Sequence, residues 1–240
     1  MTVHTESLRL ASLYPDVFHV EAPESPVGPD LWPRKPGVFI RKAAAAVAEP
    51  VEPVEPAEVQ EPQEPRPAPP LVRELVAGQF GLVPRWVKSA SDAKLRSPKL
   101  VNARSETVTT SNNLREAWLA GQRCIVPMMA FFEDDFRSGK AVATRISRVD
   151  GQPMGVAGLW ESWTGAGGEV IVSYTLLTVN ANSHALMHRY QQPGSEKRMP
   201  AVLNEGGYDA WLNAAHPEKA REFLRAYPAN WLTANPVEKK

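Results

Sequence analysis

The stretch Cys124-Ile-Val-Pro-Met-Met-Ala-Phe-Phe-Glu133 is an almost unbroken apolar run that ends in a carboxylate. Its first part, Cys124 to Val126, predicts a short buried strand. A carboxylate at the lip of such a segment is partly desolvated, which raises its pKa and suits general acid or base catalysis. The alternative is that Glu133 begins a polar turn after the strand. From these residues alone, the turn is the better interpretation.

Segments with strand character lie on both sides of this run. They alternate in polarity or are rich in β-branched residues, and they span Val72 to Gly81, Ala141 to Val149 and Val170 to Val179, with a shorter candidate at Met154 to Leu159. Strands and helices do not alternate as they do in a nucleotide-binding parallel sheet. The pattern therefore predicts a mostly antiparallel sheet.

Helices are predicted at connections and near the C-terminal end of the chain. They span Leu114 to Ala120, Tyr208 to Ala214 and Pro217 to Ala226. The first has a start like a capping box, formed by Asn113 and Glu116, and the third begins with a proline, which suits the first helical position. Together with the sheet, these helices indicate an α+β fold.

A Pro/Glu-rich segment from Glu49 to Pro70 interrupts this pattern. It holds eight prolines and no aromatic residue. Prolines remove backbone donors and glutamates repel one another, so the segment is expected to be an extended, polyproline-like or disordered insertion. Leu31 to Arg41 and Val72 to Leu82, on its two sides, both have strand character. We therefore expect one domain over residues 1–240, with this insertion as a surface loop between two strands of one sheet.

The composition limits the class of protein. A formal net charge of zero conceals six glutamates between Glu49 and Glu64, which offset an excess of six positive charges elsewhere. That excess suits an anionic partner. No apolar run is long enough to cross a membrane and no secretory signal begins the chain, so we expect a cytoplasmic protein. We expect no metal and no organic cofactor, and Cys124, the single cysteine, is interpreted as an inert core residue.

A basic run between Arg85 and Arg104 contains an aromatic residue, Trp86. It has six basic side chains and one acidic side chain, Asp92. Basic side chains neutralise phosphates, and an indole offers a face on which an unstacked base can lie. The run therefore fits single-stranded nucleic acid. A solvated loop with a core tryptophan is an equally good interpretation of the composition.

Four segments in fixed order carry a family resemblance. They are Gly81-Leu-Val-Pro-Arg-Trp86, Asn102-Ala-Arg-Ser-Glu-Thr107, Arg123-Cys-Ile-Val-Pro127 running into Phe131-Phe132-Glu133, and Lys197-Arg-Met-Pro-Ala-Val-Leu203. Together they resemble the SOS-response-associated peptidase (SRAP) family, whose members bind single-stranded DNA and capture abasic sites covalently. The resemblance runs from about Leu31 to about Val237, apart from the insertion. It implies a single SRAP-like domain with a barrel-like sheet and peripheral helices.

The resemblance assigns a DNA-binding face. The tryptophan after Gly-x-x-Pro-x and the arginine of Asn-Ala-Arg lie on that face in the family, and these positions are Trp86 and Arg104 here. We place Arg85 and Arg198 on the same face. The partner implied is single-stranded or abasic DNA, and we expect the protein to be a monomer.

The resemblance also assigns two residues of a reaction pocket. Asn102 falls on the position that orients the abasic sugar and the N-terminal group, although without the family a turn or helix cap is the better interpretation. The family pattern Gly-Phe-Tyr-Glu-Trp stands here as Ala130-Phe-Phe-Glu-Asp134. Glu133 is therefore our first choice for a retained catalytic side chain.

The N-terminal residue departs from the family. Members begin Met-Cys, and the cysteine thiol and α-amine together close a ring on the abasic aldehyde after methionine is removed. This chain begins Met1-Thr2. Threonine is small enough for Met1 to be removed, and its α-amine can form an imine. A hydroxyl is a far poorer nucleophile than a thiolate, so stable ring closure is not expected.

The chain also departs from the family at the position of the catalytic histidine. Ungapped alignment of Leu186-Met-His-Arg-Tyr-Gln-Gln-Pro-Gly-Ser-Glu-Lys-Arg-Met199 places Gln191 there. Glutamine cannot shuttle a proton. His188 lies three residues earlier and reaches the same face if this stretch is helical. His184 and His188 on a polar helix are more often surface residues than catalysts.

The sequence thus predicts an SRAP-like DNA-binding protein of the SOS response in which covalent abasic-site capture is weakened or lost. Thr2, Asn102, Glu133 and Gln191 are expected to converge on one pocket. Two alternatives stay open. One is an autoprocessing peptidase that uses Thr2 as its nucleophile and its own amine as base. The other is a non-catalytic module that binds DNA or recruits partners.

Overall fold

The computed structural model describes residues 4–43 and 72–237. In these ranges the chain forms one sheet of twelve strands: β1 (Thr5–Ser7), β2 (Asp30–Leu31), β3 (Pro36–Lys42), β4 (Arg73–Phe80), β5 (Asn102–Arg104), β6 (Arg123–Asp135), β7 (Val142–Arg148), β8 (Met154–Thr164), β9 (Val170–Asn180), β10 (Arg198–Pro200), β11 (Val202–Leu203) and β12 (Leu232–Pro236). The α-helices are α1 (Ala90–Arg96), α2 (Arg115–Leu119), α3 (Tyr208–Asn213) and α4 (Pro217–Arg221). One π-helical turn (Tyr14–Phe18) and several 3-10 turns connect them. No helix in the described ranges has the length and apolar character needed to cross a membrane.

Five strands close into a barrel in the order β4-β3-β6-β8-β9, with β9 returning to β4. Among these five strands only β9 and β4 pair in parallel, with Gln79 opposite Ser173 and Phe80 opposite Tyr174. The other strands attach to the rim: β1 and β7 flank the far half of β6, while β5 and β10 flank the end of β9. The expected α+β fold with a mostly antiparallel, barrel-like sheet is confirmed.

The core fills the barrel and continues under the helices. Every residue of the first half of β6, from Arg123 to Met128, is buried, because one face lies in the barrel and the other is covered by α2 and α3. Trp211 of α3 donates its indole N–H to the carbonyl of Cys124 at 2.9 Å. Coverage on both faces explains why this strand reads as a continuous apolar run instead of an alternating one.

The prediction for β6 was too short. The strand continues through Pro127 to Asp135, and Glu133 pairs with Thr144 of β7 inside the ladder. The interpretation of Glu133 as the start of a polar turn is therefore wrong. Asn102 was also misplaced, because it begins β5 opposite Leu176 of β9 and neither follows a strand nor caps a helix.

Two helix predictions need correction. The residue before α2 is Leu114, which makes no capping bond, so the predicted capping box of Asn113 and Glu116 does not form. Helix α4 ends at Arg221 instead of Ala226. Beyond it the chain tightens into turns that pack Phe223 edge-on against Trp211, at 6.4 Å between ring centroids. Packing of that half-buried ring against Trp211 outweighs the helical pattern of the segment.

Two paired strands flank the segment that contains the insertion. Strands β3 and β4 are antiparallel with Lys42 opposite Arg73, and the N–H of Ala43 donates to the carbonyl of Val72 at 2.9 Å. Ala43 and Val72, the residues that flank segment 44–71, are therefore held one hydrogen bond apart. The Pro/Glu segment 49–70 itself lies outside the described residues.

Candidate functional site

Glu133 is a buried carboxylate near the end of β6, only 6% exposed. Strand β7 occupies one edge of β6 at this level. On the other edge, the N–H of Phe132 donates to the carbonyl of His4 at 3.1 Å, and the N–H of Gln191 donates to the carbonyl of Asp134 at 2.7 Å. The N-terminal part of the chain and the 190–198 segment therefore lie along the same edge of β6. They contact it at the residues just before and just after Glu133. Thr2 lies outside the described residues.

Gln191 is buried and has a left-handed backbone, with φ of 67°. Its side-chain amide clamps one residue: Nε2 donates to the carbonyl of Arg198 at 2.7 Å, and Oε1 accepts from the N–H of Arg198 at 3.1 Å. A non-glycine residue holds such a backbone conformation only where its surroundings fix it. The two side-chain bonds to Arg198 and the backbone bond to Asp134 supply that constraint. The side-chain amide of Gln191 therefore serves to hold the backbone in place.

His188 does not take the place of a histidine at position 191. The stretch is a single 3-10 turn, Met187–Arg189, and Tyr190 is already extended. The helical geometry that would bring His188 onto the face of Gln191 is therefore absent. His188 is exposed, and its Nδ1 lies 2.8 Å from the carbonyl of His184.

His184 has a structural role in the same segment. Its Nδ1 accepts from the N–H groups of Leu186 and Met187, at 3.2 and 3.0 Å. Because Nδ1 accepts, the proton is assigned to Nε2, which donates to the carbonyl of Tyr227 at 2.7 Å. Both ring nitrogens of His184 are therefore engaged with the backbone.

Asn102 and Arg104 point to the same side of β5, because side chains two residues apart on a strand share a face. Asn102 is half-buried, whereas the Arg104 side chain is half-exposed. The guanidinium of Arg104 pairs with Glu196 at 2.6 Å. The amide of Asn102 thus lies deeper at the barrel rim than the guanidinium of Arg104. This arrangement suits a sugar next to the amide and a phosphate next to the guanidinium.

Arg198 lies beneath this surface, 1% exposed. It donates to both oxygens of Glu106 at 2.8 and 2.9 Å, to Glu196 at 2.8 Å and to the carbonyl of Thr178 at 2.7 Å. Since Glu196 also pairs with Arg104, a chain of contacts runs from the clamp of Gln191 through Arg198 to the exposed arginine. Arg198 is therefore buried and not exposed at the surface. Its role in this structure is to position Glu196.

The two glutamates of this network stay ionised. Burial raises the pKa of Glu106, but hydrogen bonds from Arg198 and its charge outweigh burial and bring it below the ordinary value. Hydrogen bonds from Arg198 and Asn180 lower the pKa of Glu196. Arg104 is therefore matched by an anion at neutral pH, and a phosphate would have to compete for it.

Trp86 is 40% exposed and is not a core residue. Its indole N–H donates to the carbonyl of Asn112 at 3.2 Å, and the guanidinium of Arg96 lies 4.6 Å from the ring centroid. Beside it, the half-exposed Arg85 donates to the buried Glu161 at 2.8 Å. The indole is thus fixed at the surface with one cation already against it.

An aromatic stack beside β6 was missed by sequence reasoning. The ring of His4 lies between Trp32 and Phe132, with both centroid distances at 4.1 Å and nearly parallel planes. Its Nε2 lies 2.8 Å from a carboxylate oxygen of Asp30. These residues are far apart along the chain, and no local pattern signals their contact.

Other features do not contribute to this site. A cavity of about 960 Å³ lies elsewhere, between residues 19–28 and strands β3 and β4. Within the described ranges, no group of three or more His, Cys, Asp or Glu side chains could hold a metal ion. Burial raises the pKa of the Cys124 thiol well above its usual range, which makes it unreactive, as the sequence predicted.

Comparisons with known proteins show relatives of this chain. Abasic site processing protein YoqW of Bacillus subtilis (strain 168) is 30% identical over 162 residues, which cover 66% of this chain and 67% of that protein. Abasic site processing protein HMCES of Gallus gallus is 27% identical over 185 residues, which cover 69% of this chain and 53% of that protein. The chain therefore matches about half the length of this second relative.

A solved structure from Bordetella bronchiseptica is 37% identical, with a TM-score of 0.82, and the match covers 99% of this chain and 100% of that one. A family model described as SOS response associated peptidase (SRAP) matches residues 30–240, which is most of the chain. The chain belongs to the SRAP family.

Proposed function

We propose that this protein binds single-stranded DNA at abasic sites in the DNA-damage response, and that its covalent capture of the site is weaker than that of relatives with an N-terminal cysteine. Two relatives are named abasic site processing proteins. The observation that carries the proposal is the meeting of the N-terminal chain and the 190–198 segment on either side of the buried Glu133.

DNA contact begins at the surface. A base stacks on the exposed face of Trp86, and a phosphate binds the guanidinium of Arg104 in place of Glu196. Glu196 keeps its hydrogen bonds from Arg198 and Asn180 during this exchange. The exchange therefore leaves no buried charge unpaired, which limits its cost.

The abasic sugar then lies below that phosphate, beside Asn102. Asn102 and Glu133 orient its aldehyde toward the α-amine of Thr2, after Met1 has been removed. The amine nitrogen bonds to the aldehyde carbon and water leaves, which gives an imine. Glu133 is the group that transfers protons in this step. Threonine offers no thiol to close a ring, so the imine reverts by adding water.

A second candidate, a non-catalytic DNA-binding module, is favoured by one observation. The amide of Gln191 is fully engaged with the backbone of Arg198, so this position supports the fold and leaves no proton shuttle. The third candidate, an autoprocessing peptidase, rests on Thr2 alone.

The DNA-binding face is tested by substitution. Trp86→Ala should weaken single-stranded DNA binding by about 1–3 kcal/mol, the value of one base stacked on an aromatic ring. Arg104→Ala should weaken it as well and reduce its salt dependence. Trp231→Ala and Arg225→Ala, at exposed positions that the resemblance does not assign to the DNA-binding face, are the controls and should bind normally. Unchanged affinity in both test variants, measured by fluorescence anisotropy with folding intact, would reject this face.

A further inference from the structure

The turn from Trp32 to Lys35 carries exposed groups that no predicted site uses. Trp32 is 48% exposed, and the side chains of Arg34 and Lys35 are exposed. Neither basic side chain forms an ion pair with any carboxylate of the described residues. By contrast, Arg85 and Arg104 are each matched by a glutamate. The turn therefore presents positive charge beside an aromatic ring, the combination that binds single-stranded nucleic acid.

The ring of Trp32 is held in place from beneath. One face packs on His4, which in turn packs on Phe132, the residue before Glu133. The hydrogen bond between His4 and Asp30 fixes the middle ring of this stack. Because the indole is already ordered, a base that stacks on it costs little additional side-chain entropy.

The turn also lies at the rim that carries the predicted DNA-binding segment. The N–H of Arg34 donates to the carbonyl of Phe80 at 2.7 Å, and the N–H of Phe80 donates to the carbonyl of Lys35 at 3.0 Å. Phe80 ends β4, and the next residue opens the Gly81–Trp86 segment. Arg34 has a left-handed backbone, with φ of 67°, which this pair of bonds maintains. Such strain in a non-glycine residue is concentrated at functional sites.

We propose that the Trp32–Lys35 turn is a second single-stranded DNA contact, in which Trp32 stacks one nucleobase and Arg34 and Lys35 bind the phosphates beside it. The ring stack places this contact next to Glu133, so the base it holds is close to the abasic nucleotide in the strand. The identity of the ligand rests on the function proposed above, whereas the contact itself rests on this turn.

The test is the affinity of the full chain for an oligothymidine strand, measured by fluorescence anisotropy. Trp32→Ala should weaken binding about 5- to 150-fold, the effect of losing one stacked base. Trp32→Phe keeps an aromatic face over His4 and should retain most of the affinity. Trp231→Ala is the matched control, because Trp231 is also half-exposed, at 49%, and lies by the C-terminal strand β12. The double variant Arg34→Gln/Lys35→Gln should reduce the salt slope of log K by about 1.4, for two single-strand phosphates.

The outcomes separate this contact from the function on which it rests. If Trp86→Ala weakens binding but Trp32→Ala and the double variant bind like wild type, the second contact is wrong and the proposed function stands. If the wild type does not bind the strand at all, both proposals fail. Equal losses in Trp32→Ala and Trp231→Ala, or a loss in Trp32→Ala that Trp32→Phe does not restore, would show an indirect effect and also overturn the second contact.

Discussion

Gln191 occupies the alignment position of a catalytic histidine but has a structural role. Its amide satisfies both backbone groups of Arg198, and its own N–H holds β6 at Asp134. The sequence shows that a proton shuttle is absent at this position. It does not show the hydrogen bonds from the Gln191 amide, because these form only when the chain turns back and brings Arg198, seven positions later, against Gln191.

Removing this amide should destabilise the fold. Gln191→Ala leaves the buried N–H and carbonyl of Arg198 without their side-chain partners, at a cost of about 1–3 kcal/mol in the free energy of unfolding. Urea unfolding measures this directly. Gln192→Ala, at the exposed neighbouring position, is the control and should be neutral. A stability equal to wild type in Gln191→Ala would show that the clamp contributes nothing.

Trp86 and Glu133 are two site residues that the sequence did identify. The family pattern assigned both, and the structure places Trp86 at the surface and Glu133 in a buried position beside the N-terminal chain. The ring stack of His4 was not predictable, since it joins three segments whose contact is set by the register of β1 and β2 against β6.

At the scale of elements, Arg198 and its glutamates join β5, β9 and β10. Glu106 follows β5, Thr178 lies in β9, and Glu196 precedes β10. Strands β5 and β10 have three residues each, so each has only a short backbone pairing with β9. The side-chain network therefore fixes the end of the sheet that carries Asn102 and Arg104.

This network should make the protein sensitive to acid. The pKa values of Glu106 and Glu196 are lowered in the folded state, so folding favours their ionised forms. Their contribution is fully present above the ordinary glutamate value of 4.5 and is lost as pH falls through the lower folded values. Urea unfolding between pH 7 and pH 3 should show this decline. Glu106→Gln should have a flatter pH profile, and an identical profile would contradict the role of the network.

Elements differed in how well the sequence predicted them. Strands β4, β7 and β9 match their predicted segments within about two residues, because alternation and β-branched residues mark them clearly. Strand β6 was cut short, and helix α4 was made too long. In both cases tertiary contacts decide the boundary. Pairing with β7 extends β6. Packing of the half-buried Phe223 against Trp211 ends the helical segment.

At the scale of the whole molecule, we expect the barrel to fold without the insertion. The residues that flank segment 44–71 meet at the hydrogen bond between Ala43 and Val72, on paired antiparallel strands. The fold class followed from strand content and the four motifs. The family resemblance implied a barrel-like sheet, whereas the parallel β9–β4 contact that closes it joins strands about ninety residues apart and has no local signal.

Replacing residues 44–71 with Asn-Gly should leave the fold intact, because a two-residue turn can join such a hairpin. Thermal unfolding of this variant should occur near the wild-type midpoint. Its single-stranded DNA affinity should be higher at low salt and equal to wild type near 1 M salt, since the removal of six glutamates lessens screened repulsion. A full-length variant with those glutamates changed to glutamine is the matched control. It should behave like the deletion, and wild-type affinity in both would remove any electrostatic role for the insertion.

Covalent trapping on abasic single-stranded DNA tests the central claim most directly. Wild-type protein with Met1 removed should be trapped by borohydride, which reduces the imine to a stable amine, and should form no heat-stable adduct without borohydride. Thr2→Cys should give a heat-stable crosslink, because a thiol beside the amine closes the ring while Asn102 and Glu133 orient the sugar. A heat-stable adduct in wild type, or no adduct in a Thr2→Cys protein that lacks Met1 and binds DNA, would contradict the account.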